Sequence, residues 1–153
     1  MTNGRLAGIA RHERPKGPME TLDRVAVTVG AGVHGDFRGG HASTRPGRKR
    51  QVSLIEAESV IAAMAEAGAA IDWSDCRRNL LVTGLSLPRA EGTRVQIGDS
   101  LVLEVTCECD PCERMESLHQ GLRAALTPDW RGGFLCRVIE DGEIAVGDEI
   151  RML

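Results

Sequence analysis

With 153 residues, the chain has the length of one domain, expected over residues 1–153, which would bury about 70% of the surface of the extended chain. A net charge of −3 with 42% hydrophobic and 27% charged residues is typical of a soluble globular protein and argues against disorder and against nucleic acid as a partner. Two Trp, two Phe and no Tyr leave few rings for base stacking, which argues against an RNA-reading module.

The N-terminal segment predicts no targeting signal. Its apolar patch is broken at Gly8 and is too short for the core of a signal peptide. No apolar run approaches the about 18 residues that a membrane-spanning helix needs. We therefore expect a cytoplasmic protein with no membrane partner.

Short strands joined by tight turns are expected along much of the chain, which contains 18 Gly and 6 Pro. The apolar pattern of the first half predicts strands at Gly4–Ile9, Arg24–Val29, Gln51–Ser53 and Asn79–Val82.

A polar, Gly-rich segment between residues 35 and 50 is too charged for a core. Arginine suits bidentate binding of phosphate, and glycine lets backbone N–H groups approach the same anion. The segment therefore predicts an anion-binding loop, with an unliganded, solvated loop as the alternative. Its cations are Arg38, Arg45, Arg48, Lys49 and Arg50.

A first helix is predicted from Ser53, which forms a capping box with Glu56, to a stop at Gly68. The apolar stripe of this helix has helical spacing and is expected to be structural. It consists of Leu54, Ala57, Ile61 and Met64.

Two further cations, Arg77 and Arg78, come just before the strand predicted at Asn79–Val82. A strand begins at the rim of a barrel, where these side chains would face a pocket. They would add to the positive charge of the 35–50 segment.

The second half contains two patterns with a period of two. Residues 92–105 predict a hairpin that turns at Gly98-Asp99, and residues 141–152 repeat the same order around Gly147-Asp148. Asp141-Gly142 is predicted to close a further hairpin from the strand at residues 134–139. Strands near both chain ends fit a closed β-barrel, so the expected fold is mainly β with peripheral helices (α+β).

A cluster of thiols precedes the second predicted helix. Asp110, Pro111 and Glu113 form its N-terminal signal, which places Cys112 in the first turn. Unpaired N–H groups there stabilise a thiolate as a nucleophile or metal ligand. Neighbouring carboxylates oppose this effect, so Cys112 needs positive charge from elsewhere. The apolar stripe of the helix is Met115, Leu118, Leu122 and Leu126.

The five cysteines are poorly spaced for a secreted disulfide framework and predict free thiols or a metal ligand. A structural zinc site would need a second ligand pair, which Cys76 and Cys136 do not form. A thioredoxin-like redox pair at Cys109 and Cys112 would normally follow a strand in an α/β fold. Both remain minor alternatives, and Cys107 has no assigned role.

Histidines are candidates for moving protons. His119 lies seven residues after Cys112 and, on one continuous helix, would share its face. His34 and His41 flank the start of the cationic segment. A surface position without chemistry is the alternative for each of them.

Taken together, these residues resemble the MOSC domain, the C-terminal module of molybdenum-cofactor sulfurases that also occurs as short stand-alone bacterial proteins. The resemblance spans most of the chain and depends on the order of several short motifs. They are Gly32-Val33-His34-Gly35-Asp36, residues 49–54 with Glu56, residues 77–85, Ile97-Gly98-Asp99, Cys109-Asp110-Pro111-Cys112, Gly132-Gly133 and residues 142–148.

The resemblance implies a closed barrel of the pyruvate-kinase-barrel-like type and makes Cys112 the signature thiol. It implies that this cysteine either carries sulfur as a persulfide or, as in cofactor-bound relatives, ligates molybdenum. The resemblance also implies that Arg77 and Asn79 hold the pterin of the molybdenum cofactor, molybdopterin. Arg45, Arg48 and Arg50 are extrapolated as cofactor-binding residues from charge alone.

Three hypotheses follow. The first is a molybdenum-dependent oxidoreductase that reduces small N-hydroxylated compounds with electrons from a redox partner. The second is a non-enzymatic sulfur carrier in which Cys112 accepts a persulfide from a cysteine desulfurase. The third is a barrel with inert cysteines. The chain contains no aminotransferase-like region, so no pyridoxal phosphate is expected, and the sequence leaves a homodimer open.

Overall fold

The computed structural model describes residues 3–45, 47 and 49–153. The strands are β1 (Gly4–Arg11), β2 (Glu20–Leu22), β3 (Arg24–Thr28), β4 (Gly32–Val33), β5 (Val52–Glu56), β6 (Leu80–Thr83), β7 (Arg94–Ile97), β8 (Leu101–Glu108), β9 (Phe134–Glu140), β10 (Gly142–Ala145) and β11 (Glu149–Met152). The helices are α1 (Phe37–Ser43), α2 (Ala57–Ala67), α3 (Glu113–Leu118) and α4 (Leu122–Leu126), with 3₁₀ turns at Trp73–Cys76 and Pro128–Trp130.

Seven strands close into a barrel in the order β11-β7-β8-β9-β5-β6-β1, with β1 pairing back to β11. The pair β5–β6 is parallel and the other pairs are antiparallel. A three-stranded sheet, β10-β3-β4, lies beside the barrel. The prediction of a mainly β fold built on a closed barrel is confirmed.

Aliphatic side chains fill the barrel, as expected for a chain with so few rings. Leu6, Leu54, Leu103 and Phe134 are fully buried in this core. A second apolar cluster lies where α2 and α4 pack on the outside of the barrel, around Ile55 and Leu122. Within the described residues, no helix has the length and apolar character needed to cross a membrane.

The predicted start of the first helix is wrong. Ser53 and Leu54 belong to β5, and α2 begins at Ala57 after the N-cap residue Glu56. The Ser53 hydroxyl accepts a hydrogen bond from the Asn79 N–H (3.0 Å) and so joins β5 to the start of β6 instead of capping a helix. The predicted stripe is also rotated, since Ile61 is 62% exposed.

The predicted strands of the C-terminal region form, but they do not pair as hairpins. Strand β10 pairs with β3, whereas β11 pairs with β7 and β1. The Asp141 carboxylate accepts a hydrogen bond from the Val29 N–H (2.7 Å), which holds the start of β10 beside the end of β3. The alternation of apolar and polar residues therefore predicted where these strands lie in the sequence, but it did not predict which strands they pair with.

Part of the cationic segment predicted as a loop is helix α1. The Asp36 carboxylate caps it by accepting from the Gly39 N–H (3.0 Å), and it also accepts from the His12 N–H (3.2 Å). Gly39 lies so close to β5 that a side chain there would lie 2.8 Å from the Gln51 carbonyl oxygen. These contacts fix α1 beside the end of β1 and the start of β5.

Candidate functional site

A cavity of about 320 Å³ opens at the barrel end where β1 finishes and where β5 and β6 begin. We call it the cationic cavity. Its lining includes two thiols, Cys76 and Cys112, and rings from His12, Phe37 and His41. The cations that line it are Lys16, Arg38, Arg50, Arg77, Arg78 and Arg114.

Cys112 lies at the N-cap of α3, one residue before the predicted first turn, and it is exposed. Its side chain makes no capping hydrogen bond. The predicted single helix is two short ones, since α3 ends at Leu118 and α4 begins after Gly121. Positive charge beside this thiol comes from the lining arginines rather than from a long helix.

Two glycines hold the segment that carries Cys112. The Cys109 N–H donates to the Gly133 carbonyl oxygen (2.8 Å). A side chain on Gly132 would lie 2.5 Å from the Cys109 carbonyl oxygen and 3.0 Å from Pro111 Cδ. The absence of a Cβ at residue 132 therefore lets residues 109–111 lie against the start of β9.

The remaining thiols have other surroundings. Cys109 is buried, Cys107 is half-buried on β8, and neither is among the residues that line the cationic cavity. Cys76 lines it, but burial raises the pKa of its thiol to about 11, so this group stays protonated at neutral pH. Burial also raises the pKa of Cys136, which lies in the barrel core. Cys112 is thus the exposed thiol of this site.

Three arginines, the inner arginines Arg50, Arg77 and Arg78, are positioned by backbone carbonyl groups. Arg78 is 3% exposed, and it donates from Nε to the Gly132 oxygen and from Nη1 to the Cys76 oxygen, both at 2.8 Å. Its Nη2 is buried and has no hydrogen-bond partner within the described residues.

The other two inner arginines are held less deeply. Arg50 Nη2 donates to the Arg77 oxygen (3.3 Å), and Arg77 Nη2 donates to the Gly17 oxygen (2.7 Å). Burial lowers the pKa of both guanidinium groups, and the neighbouring charge of Arg38 lowers it further. Asp36 offsets part of this effect, and no carboxylate is among the described residues that line the cavity with the three inner arginines.

Three further cations, the rim cations Lys16, Arg38 and Arg114, are exposed at the mouth of the cavity. Among the described residues, no ion pair involves any of them. The charge of Arg114 lowers the pKa of Arg77, behind burial in magnitude. These side chains therefore add like charge to a site that is already positive.

Not every predicted residue lines the cavity. Asn79 is 5% exposed, and its amide is engaged: Oδ1 accepts from the Ser53 N–H (3.0 Å) and Nδ2 donates to the Ala10 oxygen (3.1 Å). Its place in the structure is therefore the junction of β1, β5 and β6, and direct contact with a cofactor stays a prediction. Arg45 is exposed outside the lining, and Arg48 lies outside the described residues.

Two of the three candidate histidines, His119 and His34, also lie away from the lining, whereas His41 belongs to it. The ring Nε2 of His119 is 2.9 Å from the Ala67 carbonyl oxygen, because the chain leaves α3 before this residue. His34 is exposed, and its carbonyl oxygen accepts from Arg11 (2.5 Å). The expectation that His119 shares a continuous helix face with Cys112 is wrong.

Among the basic side chains that line the cavity, sequence reasoning missed three, His12, Lys16 and Arg114. Arg114 follows Cys112 by two residues, and that spacing is the signal that could have found it. Lys16 lies in a loop with several charges between β1 and β2, where one exposed lysine has no distinguishing pattern. His12 follows the end of β1, so a strand ending at Arg11 would have placed it at the rim.

The charge of the cavity favours an anion with several negative groups. No carboxylate is among its described lining residues. Asp36 lies behind the lining, where its carboxylate is engaged by backbone N–H groups. The unpartnered Arg78 Nη2 offers a buried donor that a phosphate oxygen could satisfy. Within the described residues, no group of three or more His, Cys, Asp or Glu side chains is arranged to hold a metal ion.

Comparisons with known proteins agree with this architecture. The sequence model of the MOSC domain matches residues 34–151. The structure of the YuaD protein from Bacillus subtilis superposes with a TM-score of 0.79 at 20% identity, covering 98% of this chain and 94% of that one. The structure of YiiM from Geobacillus stearothermophilus superposes with a TM-score of 0.71 at 18% identity, covering 98% of this chain and 75% of that one. The structure of YiiM from Escherichia coli superposes with a TM-score of 0.62 at 14% identity, covering 97% of this chain and 69% of that one. No curated protein matches. At these identities the structures show a shared fold.

Proposed function

The chain belongs to the MOSC domain family, a family associated with molybdenum-cofactor-binding proteins, and from that premise we propose that it binds the molybdenum cofactor in the cationic cavity with Cys112 as a ligand to molybdenum. The observation that carries the proposal is an exposed thiol beside six cations, with no carboxylate among the described lining residues. A soft thiolate suits a molybdenum–sulfur site, and guanidinium groups suit a phosphate.

The residues present fit such a group. The inner arginines would hold the pterin phosphate, because their positions are set by carbonyl contacts and Arg78 keeps one donor free among the described residues. Cys112 would hold the metal from the rim. When bound, the cofactor would supply two-electron redox chemistry at molybdenum.

The reaction we propose is the reduction of a small N-hydroxylated compound. In balanced form, R–NH–OH takes two electrons and two protons, its N–O bond breaks, and R–NH₂ and water are released. The electrons would come from an electron-donor redox protein. The ring of His12 also lines the cavity, and its Nδ1 lies 2.8 Å from the Arg14 carbonyl oxygen, an acceptor, so Nδ1 is the nitrogen that donates there.

The exposure of Cys112 supports one alternative, the sulfur carrier. A persulfide acceptor must reach the sulfur donor, here a cysteine desulfurase, and an exposed thiol allows that contact. In that case the Cys112 thiolate attacks the outer sulfur of the desulfurase persulfide, the S–S bond of the donor breaks, the desulfurase cysteine leaves as a thiolate, and Cys112 holds the persulfide with no metal. The two functions use the same residue and differ in what the purified protein contains.

The test is anaerobic purification from a molybdenum-replete host, comparing the wild type with Cys112→Ala. Cys76→Ala is the matched control, since it also removes a thiol that lines the cavity. Bound molybdenum, fluorescent pterin oxidation products and cyanide-releasable sulfur are measured. We expect near-stoichiometric molybdenum and pterin in the wild type and the control, and their loss in Cys112→Ala.

The other outcomes are equally informative. Releasable sulfur that depends on Cys112, without metal or pterin, would replace the cofactor proposal with the sulfur-carrier function. If the wild type contained none of the three, the assignment of the site would be rejected in favour of a barrel with inert cysteines.

A further inference from the structure

The cations of the cavity form two sets with different surroundings. The inner arginines are buried or half-buried and are held by backbone carbonyl groups. The rim cations are exposed, and within the described residues none of them is in an ion pair. A fixed inner set suits a resident group, whereas exposed, unpaired side chains suit a ligand that arrives and leaves.

The charge balance of the proposed cofactor site leaves the rim cations without a role. A phosphate monoester carries about −1.5 to −2 charges near neutral pH, which three inner arginines can balance. Arg38 and Arg114 line the same cavity as the inner arginines, and their positive charge lowers the pKa of Arg77, behind burial in magnitude and offset in part by Asp36. Repulsion of this kind is relieved when a second anion binds at the mouth.

We propose that the substrate itself is an anion: an N-hydroxylated small molecule that carries a phosphate group, recognised by Lys16, Arg38 and Arg114. This inference rests on the proposed function and names its substrate class. Arg114 follows Cys112 by two residues and lines the same cavity, so it would bind the phosphate near the reacting group. Two arginines and a lysine match a dianion better than a single carboxylate.

The shape of the site favours a small anion over an acidic protein surface. The rim cations line a concave cavity of about 320 Å³. A docked protein would instead need on the order of 800 Å² of surface from this chain. The alternative is that the rim cations bind an acidic electron-donor protein, and the experiment distinguishes this alternative from binding of a phosphorylated substrate.

The experiment compares the wild type with the double variant Arg38→Gln/Arg114→Gln. Arg5→Gln/Arg123→Gln is the matched control, since it removes the same charge from exposed residues outside the cavity. The reducible pair is N4-hydroxycytidine and its 5′-monophosphate, assayed with a chemical reductant and with the donor protein. Calorimetry with cytidine and cytidine 5′-monophosphate measures binding without turnover, and molybdenum and pterin contents are measured for every variant.

We expect the wild type and the control to prefer the phosphorylated compound by about tenfold in kcat/KM and in affinity, the size of two modest charge-assisted contacts. The double variant should lose most of this preference and keep its molybdenum and pterin. In the wild type, the preference should shrink as ionic strength rises.

Several results would overturn the inference. They are an equal response to both compounds in the wild type, loss of molybdenum and pterin from the double variant, or a change confined to the KM for the donor protein. In each of these cases a loaded wild type leaves the proposed function standing. A wild type without molybdenum and pterin would reject the proposed function, and the substrate inference with it.

Discussion

Two cavities of similar size lie on this barrel, and they differ in how their charges are balanced. The second has a volume of about 390 Å³ and is lined by Glu56, Glu58, Arg89, Asp129 and Arg131, among others. We call it the paired cavity. In it, Arg89 contacts Glu56 at 2.6 Å and Asp129 at 3.6 Å. The cationic cavity has no such partners among its described lining residues.

The difference teaches that volume alone does not indicate a ligand site. In the paired cavity, Glu56 satisfies Arg89 and also accepts from the Leu87 N–H (2.9 Å), so the charges serve the fold. The hydrogen bonds that Arg89 donates to Glu56 raise the pKa of Arg89. In the cationic cavity, neighbouring arginines lower the pKa of Arg50 and of Arg77, Asp36 offsets part of this effect, and a bound anion would balance the remaining positive charge.

The strongest test of this comparison is Glu56→Ala in the paired cavity. Glu56 is buried, and its loss leaves the Leu87 N–H without an acceptor and removes the bidentate partner of Arg89, which keeps Asp129 at 3.6 Å and the Leu87 carbonyl oxygen at 2.8 Å. We expect the free energy of unfolding to fall by about 2–4 kcal/mol, because Glu56 is buried but Arg89 is only half-buried, measured by urea denaturation. Glu58→Ala is the control: it lines the same cavity but is exposed, and it should cost about 1 kcal/mol or less.

Measuring the molybdenum and pterin content of Glu56→Ala shows whether the pair also affects cofactor binding. The Glu56→Ala protein that remains folded should contain molybdenum and pterin at the wild-type ratio, because the pair serves stability and not binding. A loss of less than 1 kcal/mol would show that the charges of the paired cavity are not structural.

A smaller effect is expected at Gly133, directly before β9. Its φ is +110°, a region that favours glycine, and a Cβ there would collide with the Leu54 carbonyl oxygen. Gly133→Ala should therefore cost about 1–3 kcal/mol in unfolding free energy. It should also weaken molybdenum retention, because the Gly133 oxygen accepts from the Cys109 N–H ahead of Cys112. Gly30→Ala, with no atom within 4 Å of the new Cβ, is the control.

The molybdenum content of Gly133→Ala shows whether this glycine serves packing alone or also positions the segment before Cys112. If Gly133→Ala lowered stability but left molybdenum content unchanged, this glycine would serve packing alone. If Gly30→Ala had the same effects, neither glycine would be special.

The barrel was predictable because its signal is local. Alternation at period two marked the strands from residues near each other, for example on both sides of Gly98-Asp99. Pairing is not local: β10 joins β3 through the Asp141–Val29 contact, which no short window contains. The false helix start at Ser53 has the same origin, since its hydroxyl is engaged by Asn79, 26 residues away.

The site was predictable in part for a related reason. Cys112, Arg50 and Arg77 belong to dense local patterns, and the structure places all three around one cavity. Asn79 belongs to one of the motifs behind the family resemblance, but the hydrogen bonds of its amide join three strands. Those strands are far apart in the sequence, so this role could not be predicted from a local pattern. Lys16 comes from a separate loop and is exposed, so nothing in the sequence distinguishes it from a solvated lysine.

The smallest effect is expected for Arg114→Gln, which removes a charge that is unpaired among the described residues, where Glu56→Ala removes a paired one. Arg114→Gln removes one cation from the cationic cavity, where it is exposed and has no ion pair within the described residues. In cofactor-free protein we expect no loss of stability and a gain of up to about 0.5 kcal/mol in low salt, because repulsion of Arg77 is relieved. Urea denaturation should show this gain vanishing at high ionic strength, since salt screens exposed charges. Arg24→Gln, which removes an exposed arginine that does pair with Glu143, should not stabilise the protein. If Arg114→Gln lowered the free energy of unfolding by more than 1 kcal/mol, this arginine would support the fold. The cations of the cationic cavity would then not differ from the structural charges of the paired cavity.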